Sequence, residues 1–284
     1  MSSLAATPIV IDDAARAAID AAVELLRGRR IAVLTGAGVS TDSGIPDYRG
    51  AGAPVRTPMT YSQFLADEPY RKRYWAGSHL GWERFAAARP NPGHLTLAAL
   101  EGDGIVTGVV TQNVDGLHVR AGSRRVVDLH GSMDRVTCLH CGQTFDRGAI
   151  ADRITALNPW LSDADATMNP DGDAEVADVS RFAVPECSVC GGTLKPDIVF
   201  FGEFVPPVKF EEARGIVARS DALLVLGSSL VVNSGIRLVG QAAKKRIPTI
   251  IVNRGETKAD SRAALKIEAG TTETLAVLRE ALLP

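Results

Sequence analysis

Two Cys-x-x-C pairs are the most specific chemical signal in the sequence: Cys138-Leu-His-Cys141 and Cys187-Ser-Val-Cys190, each followed by glycine. Two intervening residues let both sulfurs of a pair face one point, and the glycine permits the turn that aims backbone amides at them. Four thiolates about 2.3 Å from a tetrahedral Zn²⁺ need such knuckles, so Cys138, Cys141, Cys187 and Cys190 are expected to hold one structural zinc per chain. No coordination position is left for a substrate. Two disulfides or four reduced core thiols are the alternatives, and a reducing compartment disfavours the first. The 45 residues between the pairs are tolerable if the acidic stretch from Asp163 to Asp178 loops out.

The second signal is a glycine-rich turn, Gly36-Ala37-Gly38-Val39-Ser40-Thr41-Asp42-Ser43-Gly44, directly after the apolar run Ile31–Thr35. Glycines let a backbone approach a pyrophosphate, and a following helix would present its N–H groups to it. The third glycine comes late, and no isolated acid stands at a second strand end about twenty residues on, so an ordinary dehydrogenase fingerprint fits poorly. Three polar clusters accompany the turn. Ile45-Pro46-Asp47-Tyr48-Arg49 follows it, Gln112-Asn113-Val114-Asp115-Gly116-Leu117-His118 ends a second apolar run, and Leu129-His130-Gly131 ends a third. Ligands of open α/β sheets bind at the C-terminal ends of parallel strands, where these clusters fall.

Elements that would position them follow from periodicity. Asp12 or Asp13 can cap a helix through about Arg27. Short apolar runs at 31–35, 105–111, 126–129, 197–201, 222–226 and 249–252 read as buried parallel strands, with helices over 210–219, 236–245 and 272–282 between them. The alternation predicts an α/β doubly wound, Rossmann-like parallel sheet. A smaller zinc-ribbon and helical lobe is expected from the insertions at 50–92 and 132–194, leaving 1–49, 93–131 and 195–284 to the large lobe of one catalytic domain. Lys+Arg 31 against Asp+Glu 33 gives a net charge of −2, and aromatics are 5%. Neither a polyanion-seeking field nor a stacking platform follows, so nucleic acid is not expected as a partner. No apolar run approaches the ~18 residues of a membrane span, and no signal-peptide pattern opens the chain, so a cytoplasmic location without a membrane partner is expected.

The motifs resemble those of the sirtuins, NAD-dependent protein lysine deacylases. The resemblance rests on GAGVSTDSGIPDYRG (36–50), TQNVDGLH (111–118), LHG (129–131), both Cys-x-x-C pairs, KPDIVFFGE (195–203), GSSL (227–230) and VNRG (252–255). YRG, PYRKRYWAGSHLGWERF and PNPGH resemble the class II branch, the mitochondrial lipoamidase/ADP-ribosyltransferase type. Tyr48 stands where many members have Phe, Gly50 where many have Ser, and Val231-Val232-Asn233-Ser234 where many have a proline.

That resemblance implies NAD as co-substrate and acylated lysine side chains of proteins as partners. The acyl oxygen would attack the ribose C1′ to give an alkylimidate, with nicotinamide leaving. His130 would then act as general base on the ribose hydroxyls, and free lysine and O-acyl-ADP-ribose would result. Asn113 and Asp115 would join His130 as catalytic residues. Gly36, Ala37, Gly38, Ser40, Ile45, Pro46, Asp47, Tyr48, Arg49, Gln112, Asn113 and Asp115 would line one half of the NAD site. Gly227, Ser228, Ser229, Asn253, Arg254, Gly255 and Thr271 would line the other. Val199, Phe201, Gly202 and Glu203 would take the acylated peptide, Phe201 walling the acyl tunnel. Protein ADP-ribosylation is the enzymatic alternative, and a non-catalytic NAD-sensing zinc module is another. Ala76 and His79 fall, by register from Glu68-Pro69, where the desuccinylating branch carries its Tyr and Arg. Acyl groups bulkier than acetyl, without a carboxylate reader, are therefore expected; Arg71 and Arg73 are the alternative readers.

Overall fold

A computed structural model describes residues 12–47, 58–163, 166–168 and 174–283, without the side chains of 84, 163, 166–168, 174 and 175. The chain opens with α1 (Asp13–Leu26), capped by Asp12, whose side chain accepts from the Ala15 amide at 2.7 Å. It enters β1 (Ile31–Thr35), and then turns through two single 3-10 turns, Ala37–Val39 and Thr41–Ser43, where a longer helix was expected. There follow α2 (Tyr61–Ala66), α3 (Glu68–Ala87), α4 (Pro92–Gly102), β2 (Val106–Thr111), α5 (Leu117–Arg120) and β3 (Val126–Asp128). The small-lobe elements are β4 (Gly131–Cys138), β5 (Thr144–Asp146), α6 (Arg147–Leu157), β6 (Ala166–Met168), β7 (Ala174–Val176) and β8 (Leu194–Ile198). The chain closes with α7 (Pro207–Ala218), β9 (Ala222–Leu226), α8 (Asn233–Lys245), β10 (Thr249–Val252), β11 (Leu265–Ile267) and α9 (Thr271–Leu282).

Six strands pair in parallel in the order β11-β10-β9-β1-β2-β3. The order reverses at β1 and β9, so the crevice at that switch point is where this topology leaves room for a ligand. Strand periodicity divides the apolar residues between two cores. Ile31, Val33, Leu224, Leu226, Ile250 and Val252 face the helices α1, α4 and α9. Ala32, Leu34, Leu223, Val225 and Ile251 face α7 and α8. Three layers result.

The smaller sheet is antiparallel, β5-β4-β8. The apolar run at 197–201, expected as a parallel strand of the large sheet, is instead the end of β8 and the loop after it. Its Phe200 joins an aromatic cluster, 5.0 Å from Phe64 and 5.1 Å from Tyr74 between ring centroids. This lobe also has its own core, built by Trp75, Val136, Ile150, Ile154, Phe182 and Leu194. Fully buried Arg147 lies over the Trp75 and Trp82 rings and donates to the Ser78 carbonyl, tying α6 to α3.

The turn after β9 touches the turn after β1 backbone to backbone. Gly227 has φ +58°, and a Cβ built there would lie 2.6 Å from the Gly38 carbonyl carbon and the Val39 nitrogen. Gly227→Ala therefore meets a disfavoured conformation and a clash that no side-chain rotation relieves. We expect a loss of about 3 kcal/mol or more by denaturant titration, against less than about 1 kcal/mol at Gly102, which has open space around it.

Candidate functional site

At the switch point the ends of β1, β2, β9 and the β3–β4 turn converge. The Asn113 amide donates to the Gly36 carbonyl and the Ser40 hydroxyl, both at 3.1 Å. Ser40 in turn donates to Asp115 Oδ2 at 2.7 Å, and Asp115 Oδ1 accepts from the Leu117 amide at 2.9 Å. Ser40, Asn113 and Asp115 are all buried, so this is an interlocked set rather than a group of solvated loops. Gln112 links the two halves: its side-chain oxygen accepts from Ser228 Oγ at 2.7 Å.

His130 stands at the seam. Its Nδ1 lies 2.9 Å from the Gln112 carbonyl, and its Nε2 lies 2.9 Å from Ser234 Oγ. A carbonyl can only accept, so Nδ1 carries the proton and Nε2 presents its lone pair. Burial holds this imidazole below the ordinary histidine range, against the opposing pull of the Gln112 carbonyl. The ring is thus neutral at pH 7, with its basic nitrogen at the strand ends. From the sequence Ser234 stood only within Val231-Val232-Asn233-Ser234, the segment where many members have a proline, and not among the expected site residues.

Ala37, Gly38, Ile45, Pro46 and Asp47 line the turn beyond Gly36, whereas Tyr48 and Arg49 lie outside the described residues. On the other half, Leu230 holds φ +55°, uncommon for a residue with a Cβ, and the loop leads straight into α8. Ser229 is half-buried beside it. Asn253 follows β10 and donates to the Arg254 and Gly255 carbonyls at 2.8 and 3.0 Å. Arg254 and Gly255 are exposed, and Thr271 begins α9 after β11.

The loop after β8 sits beside His130, the Val199 amide donating to the His130 carbonyl at 2.8 Å. Phe201 is 46% exposed, and its carbonyl is taken by the Tyr61 amide. Gly202 turns the chain at φ +81°. The Glu203 carboxylate has an internal task, accepting from the Phe200 amide at 2.9 Å and pairing with Lys195 Nζ at 3.1 Å. Ala76 and His79, expected by register to stand at the acyl site, have these surroundings. Ala76 is sealed in the small-lobe core facing α6, and His79 bonds Thr155 of α6 at 3.3 Å. Helical phase, which register alone does not reveal, turns both residues toward that core. Arg71 is committed to the Phe64 and Leu65 carbonyls.

The four cysteine sulfurs converge within 4.8 Å of one another, with Cys138–Cys190 at 3.6 Å and Cys141–Cys187 at 3.7 Å. Regular tetrahedral Zn–S bonds of about 2.3 Å imply S–S separations of about 3.8 Å. Amides of His140 and Val189 point at Cys138 and Cys187, both at 3.4 Å. Donor set, spacing and knuckle amides fit one closed zinc site. A disulfide, at about 2.05 Å, is excluded by these separations. A cavity of about 370 Å³ lined by Arg30, Glu101, Arg124, Arg125 and Arg219 opens at the opposite end of the strands, away from all of these groups.

Beneath the glycine turn two buried histidines, His94 and His118, lie against each other with rings tilted by 54° and centroids 4.7 Å apart. Thr35 donates to Thr111, so His118 Nε2 must donate to Thr35, leaving Nδ1 as acceptor. His94 Nδ1 accepts from the Asn91 amide, leaving Nε2 as donor. The two remaining atoms, each without a partner among the described residues, are complementary only while both rings are neutral.

Residues 36–234 match the Sir2 family. The chain is 52% identical over 267 residues to NAD-dependent protein deacetylase 1 of Mycobacterium avium (strain 104), covering 92% of this chain and 95% of that one. It is 45% identical over 258 residues to the mitochondrial NAD-dependent protein lipoamidase sirtuin-4 of Bos taurus, covering 88% and 82%. A solved structure described as "Sir2-p53 peptide-NAD+" superposes with a TM-score of 0.74 at 32% identity, over 92% of this chain and 97% of that one.

Two outcomes are expected. Metal analysis should find one zinc per chain, and Cys141→Ala should lose it and melt the small lobe, because closed zinc sites are coupled to folding; a zinc-free, fully folded variant would contradict the assignment. Burial, with the neighbouring His94 second, lowers His118 to about 3, against 6.5 when unfolded. The unfolded chain then binds the extra proton, so the stability is complete above pH 6.5 and falls as pH drops toward 3, by about 1.4 kcal/mol per unit. Denaturant titrations from pH 7 to 4 should show this slope, and His118→Phe should flatten it.

Proposed function

The chain belongs to the Sir2 family, and on that premise we infer that it is an enzyme, an NAD-dependent protein lysine deacylase that yields nicotinamide, free lysine and O-acyl-ADP-ribose. The observation that carries the reading is His130: a neutral imidazole, bonded at Nδ1 so that Nε2 is the base, beside the Ser40–Asn113–Asp115 set. NAD supplies an activated ribose carbon and a leaving group. His130 Nε2 takes the proton of a ribose hydroxyl. Asn113 and Asp115 present polar groups to nicotinamide and its ribose, held by Ser40 and Leu117.

We assign the pyrophosphate to the Gly36–Ser40 turn and to Gly227 and Ser228. The far ribose and the adenine go to Ser229, Asn253, Arg254, Gly255 and Thr271 at the ends of β9, β10 and β11. Ile45, Pro46, Asp47, Tyr48 and Arg49 are read as the loop covering the reacting carbon. An acylated peptide would lie along Val199–Glu203, with exposed Phe201 toward the acyl chain. The two sheets are read as two lobes of one catalytic domain. Reduced thiolates at the zinc suit the cytoplasm, and the near-neutral charge gives no support to nucleic acid as partner.

Incubation with NAD and acetyl-, lipoyl- and succinyl-lysine peptides tests the reading. We expect O-acyl-ADP-ribose, with succinyl the poorest substrate because Arg71 is already engaged. ADP-ribosylated protein without acyl loss would favour the alternative transferase activity. His130→Ala should abolish deacylation while NAD affinity stays within a few-fold. Since burial depresses the His130 pKa, wild-type activity should hold above pH 6.5 and decline only at lower pH, as Nε2 becomes protonated.

A further inference from the structure

The bond between His130 Nε2 and Ser234 is not used by the mechanism just described. Ser234 is buried, and among the described residues its hydroxyl has no other partner. With Nδ1–H spent on Gln112, Nε2 can only accept, so the serine hydroxyl is the donor. A hydroxyl 2.9 Å from a basic nitrogen is also the contact that a general base must make with the group it deprotonates.

We propose that Ser234 is a positioning residue for the base: its hydroxyl fixes the His130 ring at the second nitrogen and holds the place that a ribose hydroxyl takes when substrate binds. Gln112 alone leaves the ring free to swing about its Nδ1 contact, whereas two bonds on opposite sides define its plane. Replacing one hydroxyl by another leaves the number of hydrogen bonds to Nε2 unchanged. The proposal rests on the reading of His130 as base.

The test uses Ser234→Ala, Ser234→Pro and Ser234→Thr in the full chain, with His130→Ala in parallel. Ser234 is the second residue of α8 and its amide makes no hydrogen bond among the described residues, so proline suits the position. Two rates are read: deacylation of an acyl-lysine peptide, and exchange of labelled nicotinamide into NAD, which precedes the base step. We expect Ala and Pro to lower kcat for deacylation about tenfold. KM values and exchange should stay within about twofold, and Thr should restore the rate to the same margin. A parallel fall in exchange and deacylation, failure of Thr to rescue, or an unchanged kcat in Ala and Pro would overturn the proposal. If His130→Ala still deacylates, the reading of the base falls, and the role of Ser234 with it. If it is inactive in deacylation while exchange persists, the base stands, and the Ser234 variants alone decide whether that residue positions it.

Discussion

Contact between two backbones at the strand-order reversal governs the rest of the structure. The Gly38 amide donates to the Gly227 carbonyl at 2.9 Å, and Gly36 donates to Leu226 at 3.0 Å. Cβ atoms built at Gly36, Gly38 and Gly227 would all stand within 3.0 Å of the opposing turn. Without side chains the two turns close to hydrogen-bonding distance, and the polar groups of β2 can reach both. Asn113 then bonds the first turn and Gln112 bonds Ser228 of the second. The buried polar cluster is satisfied by this closure. Separated turns would leave buried donors and acceptors unpaired, each costing about 1–3 kcal/mol.

A second glycine contact sets where His130 stands. Gly131, directly after His130, has φ +79°, and a Cβ there would meet the Asp197 carbonyl oxygen at 1.9 Å. The chain leaves the large sheet at this point and pairs with β8, Gly131 opposite Ile198. His130 is thereby held by its own backbone on one side, through the Val199 amide, and by its ring on the other. His130 and the loop after β8 are thus registered to each other by main-chain bonds.

Most of the large sheet was legible in the sequence because continuous apolar runs between amphipathic helices have few other interpretations. Five of its six strands read correctly within a residue or so. β11 did not, since Leu265-Lys266-Ile267 is too short an edge to show periodicity. The segment 197–201 misled for a different reason: Val199, Phe200 and Phe201 are apolar for packing and exposure in a loop. The small-lobe core was invisible because Trp75, Ile150, Phe182 and Leu194 come from distant segments. Zinc spacing was readable because four thiols at fixed separation carry their chemistry with them. The Glu203 carboxylate and the Ser234 hydroxyl were not, because their tasks appear only when Lys195 and His130 are placed beside them.

The cysteine cluster and His130 are linked by one strand. β4 runs from Gly131 to Cys138, about 23 Å at the usual rise per residue, too far for a metal at the cysteines to touch His130. Cys138 pairs with Leu194, four residues after Cys190 of the second knuckle, so the cysteine cluster closes the far end of the β4–β8 ladder. The near end of that ladder holds His130 and Val199. Between them the register shifts from Gly131 to Val136, so pairing there is irregular and the ladder is not self-specifying. Clamping the cysteine end fixes the alignment of the two strands, and Lys195, bonded to the Ile198 carbonyl and paired with Glu203, carries that alignment into the loop. A metal held by the four cysteines would thus act at a distance, keeping His130 and the loop after β8 in one register.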